Sequence, residues 1–419
     1  MADPKMKWDT SYEWKAVTLL GLGFGLVGLD RWIIAPLFPF MMKDLHLSYQ
    51  DLGNLIGILG LCWGVFAIVM GGVSDRIGRR KVLIPAILLF SLLSGLSGLA
   101  TGLASLIMIR AVMGLTEGSY CPTSFAATNE ASAPKRRGFN QGIQQCTFAL
   151  FGLGFGPIIA TQLMAFVPSW RWVFLIVAIP GFILGGLMYF VLRDAVTQKA
   201  ASQSTETSGR WVEIFRSRNI VLSMAALLCA MTGVFVLSAM VPNYLVDYLH
   251  LTPGQMGFVM SAIGFGGFVG QFGIPGLSDV FGRKIMAILG FVGAAILLYV
   301  FTAIGANPAA LFAVLFVITF FCLGLIALLT GPIATESAPA GLVSSAIGIV
   351  VGAGEIFGGG VAPVIAGYIA QHYGIQNILY LALSGVTLGI VVCIFLKETA
   401  PKKVEPSEKR IGAQAAALP

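Results

Sequence analysis

Hydrophobic residues along this chain fall into long unbroken runs, separated by short clusters of charged and turn-forming residues. A helix needs about 20 largely apolar residues to cross a bilayer. Runs of that kind predict twelve spans, near 16–41, 51–74, 82–101, 103–128, 139–165, 171–192, 219–247, 254–277, 285–304, 308–335, 343–370 and 375–396. One long polar interruption, with RDAVTQKAASQSTETSGR at its centre, divides them six and six. The expected fold class is therefore an all-α membrane protein. Its parts are a cytoplasmic N-terminus 1–15, a six-helix bundle 16–192, a cytoplasmic linker 193–218, a second bundle 219–396 and a cytoplasmic tail 397–419.

The two bundles repeat one another. LHLSYQDLG at 45–53 returns as LHLTPGQMG at 249–257, and SDRIGRRK at 74–81 returns as SDVFGRKI at 278–285, both at an offset of 204. NEASAP at 129–134 returns as TESAP at 335–339, and FGP at 155–157 as VAP at 361–363. Two pseudo-symmetric halves in parallel repeat are the simplest account. In transporters built this way the binding site sits near the bilayer midplane between the halves.

Composition agrees: of 419 residues, 57% are hydrophobic and 11% charged, with mean hydropathy +0.87. Soluble domains carry about 25% charged residues, so soluble folds are excluded. The net charge of +7 has an orientational reading. With the N-terminus inside, every Lys and Arg falls on a cytoplasmic segment except Lys43 and Arg171, outside, and Arg31 and Arg110, within helices. The positive-inside rule then places both termini in the cytoplasm and leaves no need for a nucleic-acid partner. The six cysteines all lie within spans and lack metal-ligand spacing, so neither metal nor cofactor is expected. The first hydrophobic stretch is too long for a signal-peptide core. No N-x-S/T sequon occurs, which fits a bacterial inner membrane.

The exceptions to apolarity carry the chemistry. Gly21–Phe40 holds Asp30 and Arg31 near its middle. A charge at a helix centre costs roughly 2.5–3.5 kcal/mol on insertion scales, so both must face protein or water. One reading is a structural ion pair locking helices together; the other is a binding and proton-coupling site. Arg110 and Glu117 on the fourth helix lie about two turns apart on one face. Adjacent residues on a helix point about 100° apart, so Asp30 and Arg31 cannot share one partner. Glu355, in GIVVGAGEIFGGG, is the one charge deep in the second half, and its repeat mate is Ala149. Gln145, Asn243, Tyr244 and Gln271 are weaker candidates for lining a substrate cavity. His46, His250 and His372 fall at outer span ends. The GLGFGP run at 152–157 reads as close helix packing with a proline kink. No nucleophile, base and metal set supports an enzyme.

The loop GGVSDRIGRRKV at 71–82 has Gly71, Asp75, Arg76, Gly78 and Arg79, and its copy has Asp279, Gly282 and Arg283. This duplicated loop resembles the cytoplasmic gate motif of the major facilitator superfamily. The Asp30-Arg31 pair, Arg110 with Glu117, and WRWVF at 170–174 with IPG at 179–181 resemble the anion:cation symporters within it. That resemblance implies Arg31 for the substrate carboxylate, Asp30 and Glu117 for the coupling proton, and Arg110 as partner of Glu117. Glu355 joins the proton-coupling candidates from its own setting. The expected function is a monomeric, proton-coupled secondary transporter of a small organic anion, working by alternating access in the lipid bilayer. The same charged pattern, with EGSY at 117–120, is also similar to spinster-like lipid carriers, so an exporter of amphipathic drugs or lysolipids is the alternative.

Overall fold

A computed structural model describes residues 9–133, 136–193, 211–339 and 342–400, apart from the side chains of residues 71, 72, 75, 76, 211, 343 and 344. The expected linker and tail thus lie largely outside the described residues. In the first half the long helices are α1 Thr10–Leu45, α2 Tyr49–Ile77, α3 Arg79–Ser97, α4 Leu103–Ala131, α5 Arg137–Phe166 and α6 Trp170–Val191. In the second they are α7 Arg218–Tyr248, α8 Pro253–Phe281, α9 Arg283–Ala303, α10 Pro308–Ser337, α11 Ser345–Tyr373 and α12 Ile375–Ile394. Eleven of these are long and apolar enough to cross a membrane. The other is α4, equally long at 29 residues but laden with buried Arg110, Thr116, Glu117, Ser119, Thr123 and Ser124. These buried polar groups lower its hydropathy.

The duplication is visible at the helix ends. The Ser48 and Thr252 hydroxyls cap α2 and α8, accepting from the amides of Asp51 and Gln255, whose side chains accept in return from the cap amides. This reciprocal capping satisfies donors that a helix start otherwise leaves unpaired. His46 and His250, just before these caps, share a left-handed backbone with φ of 52° and 55°. At the other ends Gly78 and Gly282 turn the chain at φ 101° and 104°, where a side chain is strained. Four π-helical turns, Phe148–Phe155, Tyr244–Tyr248, Leu329–Ile333 and Glu355–Val361, interrupt α5, α7, α10 and α11. Each lies at or beside a proline (Pro157, Pro242, Pro332 or Pro363). A proline ring clashes with the carbonyl four residues back and supplies no N–H; for Pro157 and Pro363 that carbonyl, of Leu153 and Gly359, lies within the turn, and the helix widens there.

The halves meet along two seams, α2 against α11 and α5 against α8. Both rely on absent side chains: a Cβ on Gly264 would lie 1.8 Å from the Gly154 nitrogen, and one on Gly60 would lie 2.5 Å from the Gly359 carbonyl oxygen. Small residues let backbones close to this distance where packing, and not the hydrophobic effect, joins helices in lipid. Beyond these points the seams part. At Gly352 and Gly142 only the tips of Ile68 and Phe272 come near, and at Gly348, Gly138 and Gly276 nothing lies within 4 Å.

The opposite ends are sealed by polar bonds between halves. The Tyr49 hydroxyl donates to Asp247 at 2.9 Å, its amide donates to Gln371 at 3.2 Å, and Gln50 donates to the Val364 carbonyl at 3.3 Å. Twelve passes bring the first and last described residues to one end, and the cleft between the halves opens there.

Candidate functional site

Helix α1 breaks at Ile33, and Pro36 supplies no N–H to the Trp32 carbonyl four residues earlier. Interrupted backbone at mid-membrane needs a donor from elsewhere. Arg110 of α4 donates just before the break: its Nη1 reaches the carbonyl oxygens of Asp30 at 3.1 Å and Arg31 at 3.2 Å. The break therefore fixes how Asp30 and Arg31 are presented.

They diverge as their helical angle requires. Asp30 turns to α3, where the Ser94 hydroxyl donates to its Oδ1 at 2.8 Å. Arg31 turns to the interface between the halves. Its Nη2 pairs with Glu355 Oε2 of α11 at 2.9 Å, with side chains only 1% and 9% exposed. Aromatic rings surround the guanidinium, with Trp32, Trp63 and Phe235 centroids 5.6, 5.7 and 5.1 Å from its central carbon. Such cation–π contacts strengthen as water is excluded. Arg31 Nε and Nη1 and the indole nitrogens of Trp32 and Trp63 are buried with no hydrogen-bond partner among the described residues. The region is rich in unused donors, and buried donors without acceptors are costly.

Glu117 is fully buried on α4, and neither carboxyl oxygen has a hydrogen-bond partner among the described residues. The expected pairing of Arg110 with Glu117 is not made. The backbone carbonyls of α1 engage the one Arg110 nitrogen bonded to oxygen, while Arg110 Nε and Nη2 have no partner among the described residues. Glu355, expected to lie without a basic neighbour in its own half, finds one across the interface. Sequence spacing within a half carried no information about that contact.

The other candidates are dispersed. Asn243 belongs to the sealed end, donating to Asp247 at 3.1 Å and to Met42 Sδ at 3.2 Å. Tyr244 beside it is buried and stacks on Tyr248, centroids 5.2 Å apart. Gln145 is half-buried on α5, whereas its neighbour Gln144 is fully buried and donates to Ser124 at 2.9 Å. Gln271 is half-buried on α8 with a buried, unpartnered Oε1.

The duplicated loops hold each half together at the open end. Arg79 donates to Glu130 at 3.1 Å and to Ser74 at 2.6 Å. Arg283 donates to the repeat mates, Glu336 at 2.9 Å and Ser278 at 2.6 Å, and pairs with Asp279 at 2.6 Å. The side chains of Gly71, Asp75 and Arg76 lie outside those described. Each of these partners lies in the arginine's own half.

Sequence reasoning passed over Ser94, Trp63, Phe235 and Gly359, which frame the charged groups; each is an ordinary residue of an apolar helix until its neighbours are known. It also passed over Glu13. That residue is fully buried and joins α1 to the α4–α5 turn through Arg136, the Ala133 amide and Asn140. The same carboxylate raises the Arg136 guanidinium above its ordinary value. Groups of His, Cys, Asp and Glu able to hold a metal are absent among the described residues.

Twelve long helices among the described residues, in two halves with a buried ion pair between them, make an arrangement that membrane carriers share. Residues 20–242 and 223–418 each match the Major Facilitator Superfamily, and the chain belongs to that family. It is an integral membrane transporter and not an enzyme. It is 27% identical over 351 residues to the probable 4-methylmuconolactone transporter of Cupriavidus pinatubonensis (strain JMP 134 / LMG 1197), covering 81% of each chain. It is 27% identical over 399 residues to the sialic acid transporter NanX of Escherichia coli (strain K12), covering 91% of each. In fold it is similar to a bacterial homolog of the human lysosomal transporter Spinster in an inward-facing, occupied conformation. That likeness has a TM-score of 0.75 at 16% identity and covers 93% of this chain and 97% of that one.

Proposed function

We propose that the protein is a proton-coupled secondary transporter of a small organic carboxylate. The observation that carries this reading is Arg31, a buried cation between the halves with two nitrogens unpaired and a carboxylate already on the third. A guanidinium is suited to planar, bidentate recognition of carboxylates. Sialic acid, named for one relative, belongs to this chemical class. The coupling proton resides on Asp30, Glu117 or Glu355, the carboxyls buried at this depth. Gln145, Gln271, Asn243 and Tyr244 complete the lining as the halves move, and the duplicated loops close the open end in the alternate state.

The placement of basic residues makes the open end cytoplasmic, the usual orientation in a bacterial plasma membrane. An inward-negative potential contributes about 2.3 kcal/mol per charge per 100 mV, so it drives a monovalent anion only when more than one proton accompanies it. The test is uptake of a panel of labelled carboxylates into vesicles with imposed pH and voltage gradients. Saturable accumulation that collapses when the pH gradient is removed is expected. Lysolipid flux with no carboxylate flux would replace this reading by the amphipath exporter.

A further inference from the structure

The Arg31–Glu355 pair links the two halves at their centre, and its surroundings are built around it. Glu355 opens the π-helical turn of α11, which carries it toward α1. Gly359, within the same turn, leaves the space that the pair fills: a Cβ there would lie 2.6 Å from Glu355 Oε2, 2.9 Å from Phe235 and 3.1 Å from Arg31 Nη2. Glu355 thus holds one arm of the guanidinium, while Nε and Nη1 are left to a further acceptor. A carboxylate of the protein sits where a carboxylate substrate binds.

We propose that Glu355 is a built-in surrogate for the substrate carboxylate, displaced from Arg31 when substrate binds and protonated once displaced. This rests on the reading of Arg31 as the carboxylate receptor and adds how the proton is coupled. Before binding, Arg31 and Glu355 neutralise one another. Afterwards Arg31 is neutralised by the incoming anion, and Glu355 has lost its cation. A buried carboxylate without a partner is heavily penalised, and the group escapes by taking a proton. The proton comes from water in the open cleft and forms an O–H bond on Glu355. One anion and one proton enter together, so this exchange is electrically neutral, and any further proton belongs to Asp30 or Glu117.

Among the described residues no second cation pairs with Glu355: Arg110 of α4, the other buried cation of this cluster, is turned to the Asp30 and Arg31 carbonyls. From α1 the facing charge is Arg31 itself. From α4 come Glu117 and the Cys121 thiol, both within electrostatic reach of Glu355. On α2 the neighbour is the backbone at Gly64, with Cys62 and Trp63 preceding it. Helix α7 contributes Met231 and Phe235 and has no charged residue between Arg218 and Asp247. Glu117 is of like charge, which further disfavours an ionised, unpaired Glu355.

The test is infrared difference spectroscopy on the purified full-length chain in nanodiscs, reading the C=O band of a protonated carboxylic acid. Titration of the wild type with isotope-shifted acetate, the minimal carboxylate, is expected to bring out this band, and Glu355→Gln is expected to lack it. Arg31→Ala is expected to show the band without acetate, and the Arg31→Ala/Glu355→Gln double variant to lose it. Gly359→Ala keeps every titratable group and fills the space of the pair, so it too is expected to show the band unprompted. It serves if Arg31→Ala does not fold. In binding assays with labelled sialic acid, Glu355→Gln is expected to tighten affinity about tenfold at high pH and to flatten its pH dependence.

Absence of a Glu355-dependent band in acetate-saturated wild type overturns the surrogate role, as does an unchanged pH dependence in Glu355→Gln. Carboxylate binding that survives Arg31→Ala removes the underlying transport reading instead. Loss of binding in Arg31→Ala with no band in any variant leaves that reading standing and removes only the surrogate.

Discussion

The two duplicated loops and the two mid-depth regions descend from the same duplication and have fared differently. At the loops, Arg79 with Ser74 and Glu130 is matched, partner for partner, by Arg283 with Ser278 and Glu336. At mid-depth the first half holds Asp30, Arg31, Arg110 and Glu117, whereas positions 234 and 235, at the repeat offset from the first pair, are Val and Phe. Glu355 has no acidic repeat mate either. Turning a helix end back into the membrane is the same task in both halves, so the solution is shared. Holding an anion at the centre requires a cation in one place, and a second copy would leave another buried charge to neutralise. On the proposed reading, the asymmetric part is the part that acts on substrate.

The largest effect that could break this contrast is at Arg31. Arg31→Ala is expected to abolish carboxylate binding, since truncating one partner of a buried, hydrogen-bonded charge pair costs about 2–5 kcal/mol. Equilibrium binding in detergent measures it, and undiminished affinity would make the central charges merely structural. Next is Glu117→Gln, expected to remove pH-driven accumulation while sparing carboxylate counterflow. The two assays run on one vesicle preparation, and loss of both would move Glu117 from coupling to binding.

Smaller, and on the symmetric side, Arg79→Ala and Arg283→Ala should each lower the melting temperature through loss of charged hydrogen bonds worth about 1.5–3 kcal/mol. Neither should alter carboxylate affinity by more than about twofold. A specific loss of affinity in one of them would show that the loops have diverged in role. Smallest is Gly78→Ala against Gly282→Ala. With φ near 100° in both, each is expected to cost about 1–3 kcal/mol in thermal unfolding, provided the Glu398 carboxylate beside Gly282 gives way. Unequal losses would mean that one turn has found room to relax.

Much of the fold is legible in the amino-acid sequence alone. The length of apolar runs fixed the helices, because lipid leaves the backbone no other way to satisfy its polar groups over that distance. The repeats LHLSYQDLG and SDRIGRRK announced the halves, and their caps and glycine turns are local devices that need no tertiary context. Asp30, Arg31, Arg110, Glu117 and Glu355 stood out because a charge in a span demands a reason. Which charge meets which was decided by the tertiary structure alone. The break in α1 claims Arg110 for backbone carbonyls, and packing of α11 against α2 brings Glu355 to Arg31 across 324 residues of chain. A sequence records periodicity and cost along one helix, whereas pairing depends on the rotation and depth of two helices relative to each other, which no local pattern encodes.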